Sequence, residues 1–243
     1  MLIRDANLEA EMIREREELI SEEREVRDFD SVVLGGFGNL TVVQSDKETL
    51  MVEAPADIMP DIVTEVRDGT LYITMKPHTI HVGWEINYNL TVKKLDAFNL
   101  TGAGKATIYP LDTDHFHLKM SGAGKIKTHK TPVDELLISG TGMVEVLDVD
   151  LPELKVTISG AAHVRVTGKA EKQWLQLPGA GNYSGEELVS QHTEVTLSGA
   201  GRAAVTAMQT LNATLNGAGV ISYAGDAQVS KRIRGIGSIH KRS

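Results

Sequence analysis

Two histidines, His115 and His117, stand two residues apart in "DTDHFHLKM". On a strand that spacing puts both imidazoles on one face. A His-x-His pair can fill two corners of a zinc site, but the site needs a third and a fourth ligand. By residue type the candidates are Asp112, Asp114, His129 and His78. The plainer reading leaves both histidines in solvent while Phe116 and Leu118 turn inward. His78 and His81 lie in "KPHTIHVGW", where no pattern supports a site. Paired acids recur further along: Asp112 with Asp114, Asp134 with Glu135, Asp148 with Asp150, and Glu186 with Glu187. Clustered carboxylates can cleave glycosidic bonds. Their offsets vary from one repeat to the next, so solvated turns explain them more simply. Trp84 and Trp174 are lone indoles, read as core or end plugs rather than sugar platforms.

Glycine-rich phrases are the other chemical candidates. "GAGK" at 102–105 and 122–125 is similar to the end of a phosphate-binding loop. Neither copy is followed by Ser or Thr, neither has the earlier glycine, and neither opens a helical pattern. A calcium-binding β-roll would place Asp soon after its glycines. Here those positions hold Lys105, Lys125, Met143, His163, Asn182, Arg202, Val220 and Ser238. No nucleophile elbow, zinc-protease motif or Ser-His-Asp arrangement can be assembled. The reading therefore assigns no catalytic, cofactor-binding or metal-binding residue, and expects no cofactor.

Composition narrows the classes further. The 243 residues contain no cysteine, which excludes disulfides, thiolate catalysis and thiolate metal sites. No apolar run approaches the length of a membrane-spanning helix. The basic-then-apolar start of a signal peptide is not visible, so the chain as written reads as unsecreted. Aromatics make up only 5% of the chain and glycine is abundant, which suggests stacked aliphatic residues and many tight corners. No broad basic face for nucleic acid is expected.

A repeat supplies the elements that must position all these residues. The first glycines of successive phrases are Gly102, Gly122, Gly140, Gly160, Gly179, Gly199, Gly217 and Gly235, spaced by 18 to 20 residues. So steady a period marks a solenoid. Two residues before each glycine stand Leu100, Met120, Ile138, Ile158, Leu177, Leu197, Leu215 and Ile233, all large and aliphatic. Apolar and polar residues alternate on both flanks, as in "ELKVTIS" and "HVRVT", which is the period of half-buried strands. Each repeat thus reads as strand, glycine corner, strand and looser return. Such a unit fits an all-β, right-handed parallel β-helix of about eight coils over residues 95–243. At roughly 4.8 Å per coil the rod would be about 40 Å long.

Residues 26–94 are strand-rich but irregular, and are expected to cap the solenoid or extend it sideways. Residues 1–25 hold no glycine or proline; Leu8, Met12, Ile13, Leu19 and Ile20 form a thin apolar stripe. They read as a charged extension, helical or disordered. The charge is split between the ends. Residues 1–30 carry eleven acids and five bases, whereas residues 230–243 carry five bases and no acid. That split suggests that the acidic N-terminal segment meets the basic last coil, within one molecule or between molecules stacked head to tail.

"EREVRDFDSVVLGGFGNLTVVQSDKETLMVEA", "TEVRDGTLYI", the "SGAG" and "SGTG" phrases and the late "LNGAGVISYAGDAQV" stand in an order that resembles the DUF2807 family, the auto-transporter adhesin head GIN domain. The resemblance covers about residues 23–240. It implies a right-handed β-helix and a place at the cell envelope or outside the cell. The combined expectation is a non-enzymatic binding, adhesive or scaffolding module whose partner is a protein or carbohydrate at a cell surface. A carbohydrate-active enzyme using the return-segment acids, and a self-assembling homo-oligomer joined through its ends, are the alternatives.

Overall fold

The computed structural model describes residues 19–77 and 85–242. Their strands are β1 (Leu19–Arg24), β2 (Ser31–Leu34), β3 (Phe37–Gln44), β4 (Thr49–Pro55), β5 (Ile62–Arg67), β6 (Thr70–Met75) and β7 (Asn87–Val92). The repeats supply β8 (Ala97–Leu100), β9 (Ala103–Ile108), β10 (Phe116–Met120), β11 (Ala123–His129), β12 (Val133–Ile138), β13 (Thr141–Ile158), β14 (Ala161–Leu177) and β15 (Asn182–Leu197). They end with β16 (Ala200–Leu215), β17 (Ala218–Ala224), β18 (Gln228–Ile233) and β19 (Ile236–Lys241).

The eight glycine phrases stack in register. Before each corner, β8, β10, β12 and the second halves of β13 to β16 pair in parallel, ending on β18. After each corner, β9, β11 and the first halves of β13 to β16 do the same, ending on β17 and β19. This is the expected parallel β-solenoid. Seven complete turns separate the corners at Gly102 and Gly235, one fewer than a count of corners gives, because the last corner has no return after it.

The inner column forms as its alternation requires. Leu100, Met120, Ile138, Ile158, Leu177, Leu197 and Leu215 are all buried, and only Ile233 in the last coil is exposed. Each such side chain contributes about 1.5–3 kcal/mol by leaving water. The corners explain why the phrase is glycine. A Cβ on Gly122 would lie 2.0 Å from the Gly102 carbonyl oxygen, and one on Gly140 would lie 1.9 Å from that of Gly122. Close approach of stacked backbones is therefore the main constraint. A positive φ adds to it at Gly142, where φ is +129°.

Residues 31–44 do not extend the solenoid sideways, as expected from sequence, but along its axis. β2 pairs with β8 and β3 with β9, and the Ala103 N–H reaches the Gly36 carbonyl at 3.0 Å. The reason is phase: Val32, Leu34, Leu40 and Val42 are buried like their partners Phe98, Leu100, Ala106 and Ile108. The chain then leaves this rung and places β6 and β7 on its far side. From there it climbs back past β2 and β3 to begin β8.

Antiparallel strands close that end. β5 lies on β6, β4 on β7, and β1 on β4. Leu19–Arg24 is thus a strand, not the helix or disordered segment expected there. The open edge of β4 offers six residues a ready ladder, whereas a short isolated helix must nucleate alone. The Arg24 guanidinium also donates to the Met59 carbonyl at 3.2 Å. Leu8, Met12 and Ile13 lie outside the described residues. At the other end, Lys231 takes a position that is apolar in the earlier coils. Its ammonium sits 4.8 Å over the Tyr223 ring and donates to the Ile239 carbonyl, giving the last coil a polar plug. β1 and β19 terminate opposite ends of one ladder, so within a single molecule these two strands do not meet.

Candidate functional site

The solenoid presents three kinds of surface: the outer side of the pre-corner sheet, the outer side of the post-corner sheet, and the return segments. His115 and His117 lie at β10, with Phe116 and Leu118 buried between and beside them as the alternation requires. The carboxylate that meets them is neither Asp112 nor Asp114 but Asp134 from the next coil, 2.8 Å from the His115 Nδ1 and 3.8 Å from the His117 Nε2. It also accepts the Phe116 backbone N–H at 3.2 Å. Glu135 stands 3.9 Å from the other nitrogen of His117. Stacking by one coil brings these groups together, which linear spacing could not reveal. Among the described residues no three His, Asp or Glu side chains gather closely enough to hold a metal ion. His129 is exposed at the end of β11; His78, His81 and Trp84 lie outside the described residues.

Three of the eight paired acids named above meet Lys or Arg. Asp148 meets Lys130 at 3.7 Å, Glu186 meets Arg242 at 3.4 Å, and Glu187 meets Arg165 at 2.8 Å. Trp174 is neither core nor end plug: it is 42% exposed on the outer side of the pre-corner sheet, in register with Lys155 and Glu194. Its neighbours Gln173 and Leu175 take the inward positions. Gln173 faces the bore, where its amide donates to the Tyr183 hydroxyl. Burial pushes the ionisation of Tyr183, like that of Tyr88, well above the ordinary tyrosine range, so both stay neutral spacers of the core.

The post-corner face differs from the others. Its first outward column reads Lys105, Lys125, Met143, His163, Asn182, Arg202, Val220 and Ser238 up the rod. The second reads Thr107, Lys127, Glu145, Arg165, Ser184, Ala204, Ser222 and His240. These columns hold five Lys or Arg and one acid. The acid, Glu145, is 2.7 Å from the Lys125 ammonium, and that hydrogen bond holds its carboxyl below the usual range, with Lys127 and Arg165 adding to the effect. Where Ser184, Ala204 and Ser222 replace the long side chains, a depression of about 330 Å³ opens between His163 and Arg202. Sequence reasoning had this column in view, as the residues following each corner, but read it only for the aspartates it lacks.

Comparison with known proteins follows this geometry. A family model described as "Putative auto-transporter adhesin, head GIN domain", DUF2807, matches residues 28–227. A crystal structure described as a "putative lipid binding protein" from Parabacteroides distasonis is 26% identical, with a TM-score of 0.79 over 94% of this chain and 98% of that one. One described as a "putative adhesin" from Bacteroides fragilis is 23% identical, with a TM-score of 0.70 over 93% and 97%. Another "putative adhesin", from Parabacteroides merdae, is 18% identical, with a TM-score of 0.76 over 94% and 98%. The last two show likeness of fold alone. No curated protein matches the chain.

Proposed function

The chain belongs to the DUF2807 family, and on that premise we propose that it works as a non-enzymatic β-solenoid that binds or adheres at a cell surface. One observation carries the reading: the outward residues stack in register from coil to coil, so the molecule offers a long recognition surface. The family description and the similar structures described as adhesins support it. The description of one similar structure as lipid binding belongs to that protein; a lipid is a competing ligand for this chain. No helix among the described residues is long and apolar enough to cross a membrane.

Co-sedimentation with isolated bacterial envelope polymers, with new reducing ends measured in the same tubes, tests this reading. The protein should be retained and the polymer should stay intact. Steady release of new ends would make it an enzyme, and no retention by any envelope fraction would remove the binding role. A second reading, head-to-tail self-assembly, is favoured by the exposed end strands: β1 carries Glu22 and Glu23, while β18 and β19 carry Lys231, Arg232 and Lys241. Because β1 and β19 cannot meet within one molecule, that contact would join two copies. Polymer-free runs decide it: heavier species at low salt, lost at high salt, support stacking, and a salt-independent monomer overturns it.

A further inference from the structure

We infer that the post-corner face is a docking track for a linear, carboxylate-bearing polysaccharide lying along the rod axis. This rests on the binding-module reading above and names the face and the ligand class within it. From β11 upward the cations on that face recur at every second rung: Lys125 and Lys127 stand on β11, Arg165 on β14 and Arg202 on β16, with β13 and β15 between them, while Lys105 on β9 lies one rung below Lys125. Two rungs span about 10 Å. That is the scale of one disaccharide, the interval at which alternating uronic-acid polymers present their carboxylates.

Neutralisation within the protein is incomplete. Glu145 engages Lys125 and Glu187 engages Arg165. The side chains of Lys105, Lys127 and Arg202 form no ion pair or hydrogen bond with described residues. An anion laid here would meet them without breaking an existing ion pair, so the charge attraction is not offset by the loss of one. The depression beside Arg202 adds hydrogen-bonding groups at the height of a sugar ring: Asn182, Ser184 and Ser222 line it. Glu186 is at its rim, but its carboxylate is taken by Arg242. A membrane would meet a broad basic surface; here the charge runs in two adjacent columns on one side of a protein whose net charge is −8. A thread-like anion fits that layout, whereas a plane of anionic lipid would also meet the acidic return segments.

Affinity electrophoresis and co-sedimentation with sodium hyaluronate, which carries one carboxylate per disaccharide, test this, with dextran, phosphatidylglycerol vesicles and duplex DNA as the other arms. The wild type should bind hyaluronate, lose affinity steeply with added salt, and ignore dextran. K127E with R202E should weaken binding about tenfold or more, while K169E, an exposed change on a return segment, should leave it unchanged. All three positions are on the surface, so equal melting temperatures will show that the variants fold. Equal loss in K169E, undiminished binding by the double variant, or preference for dextran, vesicles or DNA would overturn the track. In each of those cases the wild type still binds a polymer or surface, so the binding-module reading survives. Failure of the wild type to bind any envelope fraction would instead remove that underlying reading.

Discussion

Gly140→Ala should leave the protein unable to form its central coils, whereas Gly69→Ala should cost only about 1 kcal/mol. The new methyl at 140 would stand 1.9 Å from the Gly122 carbonyl oxygen. No rotamer relieves that contact, because both partners are backbone. The rungs would have to separate there, breaking the bonds from the Gly140 amide to the Met120 carbonyl and from the Thr141 amide to the Gly122 carbonyl. A loss above about 4 kcal/mol is expected, which is exceptional for one methyl group. At Gly69 the nearest atom to a new Cβ is 3.8 Å away and only the φ of +73° is unfavourable. Urea unfolding followed by circular dichroism will compare the two. A Gly140→Ala protein with an unchanged midpoint would mean that the corners do not stack as described.

Leu197→Ala should cost about 2–5 kcal/mol, and Ile236→Ala no more than about 0.5 kcal/mol. Both residues are aliphatic and both belong to the repeat. Leu197 is fully buried in the bore, whereas Ile236 is 83% exposed on the last coil. The void left at 197 cannot close cheaply. Leu177 below and Leu215 above are held in register by parallel backbone pairing on either side. A deleted side chain therefore loses its contacts outright instead of being replaced by a shift of its neighbours. Thermal melts of the two variants give the comparison, and equal destabilisation would show that the inner column is not a closed core.

Most of the solenoid was legible because its constraints are local and repeated. Leu100, Ile138, Leu197 and Leu215 could be assigned to one interior from their fixed offset to the glycines, and all four are buried. The N-terminal portion was harder to read for a topological reason. β2 and β3 occupy a rung in perfect phase with β8 and β9, but β4 to β7 intervene in sequence, so a search for a steady period steps over it. The strand at Leu19–Arg24 was hidden by composition, since glutamate-rich residues without glycine look helical until an open sheet edge is known to lie alongside. Site chemistry was less legible still. Asp134 meets His115 only because one coil stacks on the next. Bulk and apolarity suggest a plug at Trp174, whereas its outward phase between Gln173 and Leu175 is what places it on the surface. The charged track needed the register itself, since cations on alternate rungs are about forty residues apart in the chain.

Amide hydrogen exchange at the corner glycines tests the central claim most directly. The Gly122, Gly140 and Gly160 amides bond to the Leu100, Met120 and Ile138 carbonyls of the preceding coil at 3.0, 3.0 and 3.2 Å. These residues sit at turns, where exchange is ordinarily fast. If every coil runs the same way and rests on its neighbour, all three amides should exchange as slowly as those inside β13 and β14, opening only with global unfolding. If they exchange as quickly as the amides of the β3–β4 turn, the coils are not stacked and the continuous rod is wrong.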